Sequence, residues 1–110
     1  MTKQELLKTH FGYDTFREGQ EAVIDALLAG KDVLAVMPTG AGKSICYQVP
    51  ALMMKGITLV ISPLISLMKD QVRSLNQVGI SAAYLNSSLT QGQYFTALRY
   101  AKAGRYPIIY

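Results

Sequence analysis

The sequence predicts an α/β fold in which a parallel sheet is linked by crossover helices. Short apolar runs rich in β-branched residues alternate along the chain with longer segments whose apolar residues recur at helical spacing. Glycines follow most of these helical segments, where helices commonly end. Successive strands joined through helices run parallel, because each helix brings the chain back to the end of the sheet at which the previous strand began. With 110 residues, half of them apolar, the chain forms one small domain or part of one.

The first 30 residues are predicted to form two helices. Thr2 and Glu5 have capping-box spacing, which opens a helix that ends near Gly12. A second helix is predicted over about 18–29, with Gly30 in the position that ends it.

The next segments are predicted to form a strand, a loop and a helix. Residues 32–37 indicate a short buried strand, and residues 38–42 a loop. The helix runs from Lys43 to about Met54, and Pro50 should kink or loosen its middle.

The second half repeats the alternation. Ser62 is predicted to cap a helix with Pro63 at its first position, and Gly79 ends that helix. The other predicted elements are strands at 57–61, 80–85 and 107–110, a turn at 86–88 and a helix at 90–103.

Composition sets only broad limits on function. The net charge of +4 is compatible with phosphate or nucleic-acid partners, but proteins that bind neither often carry as much. A single cysteine, Cys46, excludes an internal disulfide and suggests a small buried side chain. The sequence shows no signal segment and no apolar run of membrane-spanning length, so we expect a soluble intracellular protein with no membrane partner.

The strongest chemical signal is the glycine-rich segment 37–44, which follows one predicted strand and opens a helix. Gly40 and Gly42 let successive N–H groups converge on one phosphate, at the positive end of the helix dipole. Lys43 supplies a charge for the β- and γ-phosphates, and the Ser44 hydroxyl can hold Mg²⁺. The alternative is a glycine-rich turn that carries Gly-Lys-Ser by chance.

Three longer motifs resemble those of RecQ-type helicases, a family of ATP-dependent DNA helicases in superfamily 2. Segment 11–20 resembles the family's motif 0, segment 37–48 its motif I, and segment 60–72 its motif Ia. Segments 85–87 and 107–110 follow in the expected order, the first as motif Ib. Met37 stands where the general phosphate loop has glycine, so the loop matches the helicase variant. The resemblance implies a partial RecA-like P-loop NTPase domain, with 1–110 as the N-terminal part of the ATP-binding domain.

The resemblance also implies an ATP site with Mg²⁺. Gln20 would pair with the adenine through its amide, and Tyr13 and Arg17 would stack on the base. Without the family, Gln20 would be read as a surface polar residue and Arg17 as a solvated charge. Phe11 and Phe16 are expected in the core. The implied nucleotide-binding set is Tyr13, Arg17, Gln20, Thr39, Gly40, Ala41, Gly42, Lys43 and Ser44, with Lys43 as the catalytic residue and Ser44 on the metal.

Single-stranded DNA or a duplex junction is the second partner that the resemblance implies. Ser62 and Asn86 would contact the DNA backbone, although Ser62 could equally serve only as a helix cap. Lys69 and Arg73 are expected to form a solvated face. The zinc site of the family lies outside these residues. Localisation would be cytoplasmic and nucleoid-associated in a bacterium, or nuclear in a eukaryote.

Hydrolysis needs a carboxylate pair that holds Mg²⁺ and orients water, which the family places on an Asp-Glu-x-His motif. None of the seven acidic residues follows an apolar strand, so the sequence predicts a chain truncated before that motif and inactive alone. The alternatives are a stand-alone non-catalytic nucleotide-binding or regulatory module and, less favoured, a small phosphate-loop kinase.

The isolated chain is also expected to be partly molten. Strand 32–37 would expose apolar side chains for want of neighbouring strands, and the final strand would be left incomplete.

Overall fold

The computed structural model describes residues 1–38 and 42–110, which form two compact units, 1–55 and 56–110. The predicted nucleotide-binding residues Thr39, Gly40 and Ala41 lie outside the described residues.

The first unit begins with the predicted capped helix. In α1 (Lys3–Leu6) the Glu5 N–H donates to Thr2 Oγ1 at 3.1 Å. The chain continues as a π-helical turn, Leu7–Phe11, and ends at Gly12 with φ +76°. Both predicted ends of this helix are therefore confirmed, although its second half is wound more widely than an α-helix.

The other two helices of this unit, α2 (Gln20–Leu28) and α3 (Ile45–Met53), each begin about two residues later than predicted. Gly30 follows α2 with φ +81°, as its predicted role requires. Helix α3 runs on through Pro50, which is buried. A proline in this position removes one N–H donor, and the apolar packing around it outweighs that loss.

The core of the first unit lies where these helices meet. Four buried residues form it, and three partly buried ones pack against it, including the two phenylalanines that were predicted to be internal. The buried members are Leu7, Ile24, Ile45 and Val49, and the others are Phe11, Phe16 and Leu28.

The prediction of a buried strand at 32–37 is wrong for this structure. The segment forms no strand, and its side chains point to solvent, with Leu34 93% and Val36 90% exposed. A strand exists only through hydrogen bonds to a neighbour, and no described residue pairs with this segment. The exposure of its apolar side chains agrees with the expectation that the segment would be uncovered.

The second unit contains a three-stranded parallel sheet. Its strands are β1 (Thr58–Leu59), β2 (Ala82–Ala83) and β3 (Ile108–Ile109), in the order β1-β3-β2. The parallel arrangement is confirmed. The expectation of an incomplete final strand is wrong, because β3 is the central strand and pairs on both sides. It was misjudged because strand order depends on long-range pairing, which position in the sequence does not reveal.

Helix α4 (Ile65–Gln77) follows β1, but its cap differs from the prediction. Leu64 is the N-cap, so Ser62 does not cap the helix and Pro63 is not its first residue. Ser62 Oγ instead accepts from the Leu64 N–H at 3.4 Å, which is a local turn. Met68, Val72 and Leu75 are buried, and Gly79 follows the helix end with φ +85°. Leu64, Leu67 and Val78 are exposed.

Helix α5 (Gln91–Lys102) joins β2 to β3. A complete capping box opens it, with the Gln93 N–H donating to Thr90 Oγ1 at 3.1 Å and the Thr90 N–H donating to Gln93 Oε1 at 2.9 Å. No residue of α5 is buried. Within the described ranges, no helix is long and apolar enough to cross a membrane.

Candidate nucleotide site

Gln20 occupies the centre of the candidate site. It is only 2% exposed, so the alternative of a surface polar residue does not hold. Its Oε1 accepts from the Arg17 N–H at 2.7 Å, and its Nε2 donates to the Gly42 carbonyl at 3.0 Å. The side-chain amide therefore links the segment before α2 to the end of the glycine-rich loop, 22 residues later.

A small cavity adjoins this amide. It has a volume of about 50 Å³, far below the roughly 300–1,000 Å³ of an enclosed small-molecule pocket. Tyr13, at its rim, is 49% exposed, so a flat base would stack at the mouth of this cavity rather than inside it. The lining brings together four predicted nucleotide-binding residues and two that the sequence did not single out. They are Tyr13, Arg17, Gln20 and Gly42, with Thr15 and Ile45.

Two separate features favour glycine at position 42. Its φ of +75° is a conformation that residues with a Cβ rarely adopt. A Cβ placed there would also overlap Gln20 Nε2. The close approach of the loop to the Gln20 amide thus depends on the missing side chain.

Replacing Gly42 tests that approach. We expect Gly42→Ala in the full-length protein to weaken ATP binding by at least about tenfold, because the methyl group displaces the Gln20 amide. Gly30→Ala is the matched control, since Gly30 has φ +81° and no atom within 4 Å of an added Cβ. Calorimetric titration with ATP should separate the two variants. Equal affinities would show that the contact between loop and amide does not matter for nucleotide binding.

Lys43 and Ser44 lie at the start of α3, where unpaired N–H groups and the helix dipole favour an anion. Lys43 is exposed and makes no ion pair with any residue that the structure describes. Ser44 is the N-cap of α3, and its hydroxyl makes no capping hydrogen bond. A hydroxyl that does not cap its own helix is compatible with the predicted metal contact. Both residues directly precede the nine-residue helix, at its N-terminal end.

Cys46 lies inside the same helix and is 5% exposed. Burial raises the pKa of its thiol, so the reactive thiolate is disfavoured. The Sγ atom contacts Met37 Sδ at 3.8 Å, which ties the helix to the residue that begins the glycine-rich segment. The expectation of a small buried side chain is confirmed. Across 1–38 and 42–110, no cluster of three His, Cys, Asp or Glu residues could hold a metal ion.

The predicted DNA contacts, Ser62 and Asn86, follow the carboxyl ends of β1 and β2, at the same edge of the parallel sheet. Asn86 Oδ1 accepts from the Ser88 N–H at 2.8 Å, which forms the predicted turn. Its Nδ2 is buried and has no hydrogen-bond partner among the described residues. In this conformation Asn86 shapes the turn, and contact with a DNA phosphate would require its amide to rotate outward.

Comparison with known proteins identifies the family. The DEAD/DEAH box helicase family matches residues 17–110, most of the chain. The chain belongs to the DEAD/DEAH box helicase family. Membership implies a RecA-like fold, in agreement with the parallel sheet and crossover helices of the second unit.

Within this helicase family, the chain is similar to RecQ proteins from several organisms. It is 64% identical over 89 residues to the ATP-dependent DNA helicase RecQ of Pasteurella multocida, covering 81% of this chain and 14% of that protein. It is 51% identical over 108 residues to the RecQ helicase of Bacillus subtilis, covering 97% and 18%. The rat ATP-dependent DNA helicase Q1 is 54% identical over 85 residues, covering 77% and 14%. The predicted resemblance to RecQ helicases is confirmed.

The chain spans less than a fifth of the length of these relatives.

Three features of the site could not be read from the sequence, namely the carbonyl of Gly42 as a partner of Gln20 and the positions of Thr15 and Ile45 in the cavity wall. Their only signal was proximity in the chain to the predicted residues.

Proposed function

We propose that this chain is the nucleotide-gripping part of a RecQ-type helicase that unwinds DNA with 3′-to-5′ polarity in recombination and repair. The observation that carries the proposal is the Gln20 amide, which joins the candidate base site to the phosphate loop. A phosphate loop alone is common to many nucleotide-binding proteins. A buried glutamine that is bonded to the end of that loop connects a base site to a phosphate site, and a nucleotide is the ligand that occupies both.

Each residue has a distinct part in the proposed ATP site. Tyr13 and Arg17 stack on the base, and Gln20 selects adenine. Lys43 neutralises the β- and γ-phosphates at the start of α3, and Ser44 holds the Mg²⁺ that accompanies them. The bound metal ion would supply further neutralisation of phosphate charge. In this proposal these residues bind and orient ATP, while the carboxylates that activate water lie outside the 110 residues.

DNA is the second proposed ligand, as either a single strand or a duplex junction. Ser62 and Asn86 support this proposal because both follow parallel strands at one edge of the sheet, where backbone phosphates could meet several donors. ATP and DNA together define the proposed activity. The proposed location follows that of the DNA, which is the bacterial nucleoid or a eukaryotic nucleus.

An unwinding assay on the full-length protein tests this function. With ATP and Mg²⁺, a duplex with a 3′ single-stranded tail should be unwound, and one with a 5′ tail should not. The isolated 110-residue chain should release no phosphate above background, because it has no Asp-Glu-x-His motif. Unwinding of 5′-tailed substrates alone would overturn the proposed polarity. DNA-stimulated hydrolysis by the isolated chain would show that the catalytic residues had been misassigned.

A further inference from the structure

The charge of the chain is divided unevenly between its two units. Residues 1–55 carry six basic and six acidic residues, whereas residues 56–110 carry five basic residues and one acidic one. The whole net charge of +4 therefore belongs to the second unit. After Asp70 there is no acidic residue up to Tyr110, so nothing in this stretch neutralises its cations.

Three of those cations gather at the end of α5. Arg99 and Lys102 are one helical turn apart, and Arg105 follows three residues later. All three are exposed, and none forms an ion pair with a described residue. Such a group of uncompensated cations attracts an anion or a polyanion.

Two aromatic rings lie beside one of these cations, Arg105. The Arg105 guanidinium lies over the Tyr100 ring, 4.9 Å from its centroid. Tyr100 also meets Tyr106 edge to face, with ring centroids 6.3 Å apart. The Arg105 N–H donates to the Tyr100 carbonyl at 3.1 Å, which fixes the chain where it leaves the helix. The guanidinium is thus held on an aromatic support instead of moving freely in water.

A groove of about 450 Å³ runs along the same helix to these rings. The groove is open where Gly92 and Ala97 line it, because these residues have little or no side chain. No atom lies within 4 Å of a Cβ added at Gly92. Tyr100 and Tyr106 form one end of the groove. An open groove that ends at two tyrosine rings, with the Arg105 guanidinium over one of them, suits a chain of unstacked bases joined by phosphates.

This surface is separate from the predicted DNA contacts. Ser62 and Asn86 follow the carboxyl ends of β1 and β2, whereas Arg105 and Tyr106 lie just before the amino end of β3. Because the three strands are parallel, the two sets lie at opposite edges of the sheet.

We propose that the end of α5, with Arg99, Tyr100, Lys102, Arg105 and Tyr106, is a second binding surface for single-stranded DNA. The cations contact phosphates, and the tyrosines at the groove take a base. Single strands are favoured over duplex because only unpaired bases offer their faces to aromatic rings. The inference rests on the proposed role in DNA unwinding and adds a contact surface to it.

The test measures binding of a fluorescein-labelled oligothymidine to the full-length protein, by anisotropy at several salt concentrations without nucleotide. Lys102→Gln with Arg105→Gln should weaken binding and make the slope of log K against log salt shallower by about 1.4, since each lost phosphate contact on a single strand accounts for about 0.7. The matched control is Lys69→Gln with Arg73→Gln, which removes two cations from α4 in the same unit. The control should keep the original slope.

Tyr100 gives an independent arm that does not depend on charge. Tyr100→Leu should weaken binding roughly five- to a hundredfold through lost stacking, whereas Tyr100→Phe should retain it. An equal loss in both charge variants, or unchanged binding in the α5 variants, would overturn the proposal. The proposal would also be overturned if the α5 variants weakened binding to blunt duplex DNA but not to the single-stranded oligothymidine. ATP affinity of the same preparations stays a separate measure, so failure of this surface is distinguishable from failure of the proposed nucleotide site.

Discussion

Lys43→Ala is expected to lower ATP affinity by about ten- to a hundredfold. The substitution removes a charge-assisted contact to the nucleotide phosphates, worth about 1.5–3 kcal/mol. The exposed position of Lys43 at the start of α3 means that little else in the fold depends on it. Affinity should be measured by calorimetry on the full-length protein, with circular dichroism to check that the fold is retained.

Lys31→Ala provides the control for this experiment. Lys31 is another exposed lysine of the same unit, just beyond the end of α2. Its removal changes the net charge equally, so it should leave ATP affinity unchanged. If Lys43→Ala and the wild-type protein bound ATP equally well, the phosphate-loop assignment of segment 37–44 would be wrong.

Gln20→Ala is expected to abolish the preference for ATP over GTP and also to destabilise the first unit. In the wild-type protein GTP should compete poorly, since a site built to hydrogen-bond one base leaves its polar atoms unpaired with the other. Removing the amide deprives the Arg17 N–H and the Gly42 carbonyl of their partners. Both hydrogen bonds are only partly buried, so we expect a loss toward the lower end of the about 1–3 kcal/mol that a buried group without a hydrogen bond costs. The melting temperature should therefore fall together with the base preference.

Gln4→Ala is the control for Gln20→Ala, because it replaces a glutamine of the same unit outside the candidate site. Gln4 is exposed on α1, and its Nε2 donates to Glu21 at 3.1 Å on the protein surface. Its replacement should alter neither stability nor nucleotide choice. Competition assays with ATP and GTP, run beside thermal melts, give both readouts. Equal competition by the two nucleotides against the unmodified protein would argue against base reading by Gln20.

The site illustrates how far sequence reasoning extended. Local patterns located the glycine-rich loop and the helix after it, because turn chemistry and helix caps depend on neighbours in the chain. The role of Gln20 was implied only by the resemblance to RecQ helicases. The same patterns could not show that Gln20 is bonded to Gly42. That contact joins residues 22 positions apart, and it forms only when α2 and α3 pack together.

The ends of the helices were predicted better than the start of α4. Gly12, Gly30 and Gly79 each mark the end of a helical segment as predicted, because a positive φ is a property of one residue and its immediate chain. The N-cap of α4 was predicted wrongly. It is Leu64, two residues after the predicted Ser62, and the Ser62 hydroxyl accepts from the Leu64 N–H instead.

The sequence by itself determined the alternation of helix and strand in residues 56–110 and the parallel sense of the sheet, since both follow from the spacing of apolar segments along the chain. Only the tertiary structure decided that β3 is the central strand, that segment 32–37 pairs with no described residue, and that the Arg105 guanidinium lies over the Tyr100 ring. The first two features depend on contacts between residues distant in the chain, whose free energy no local pattern contains.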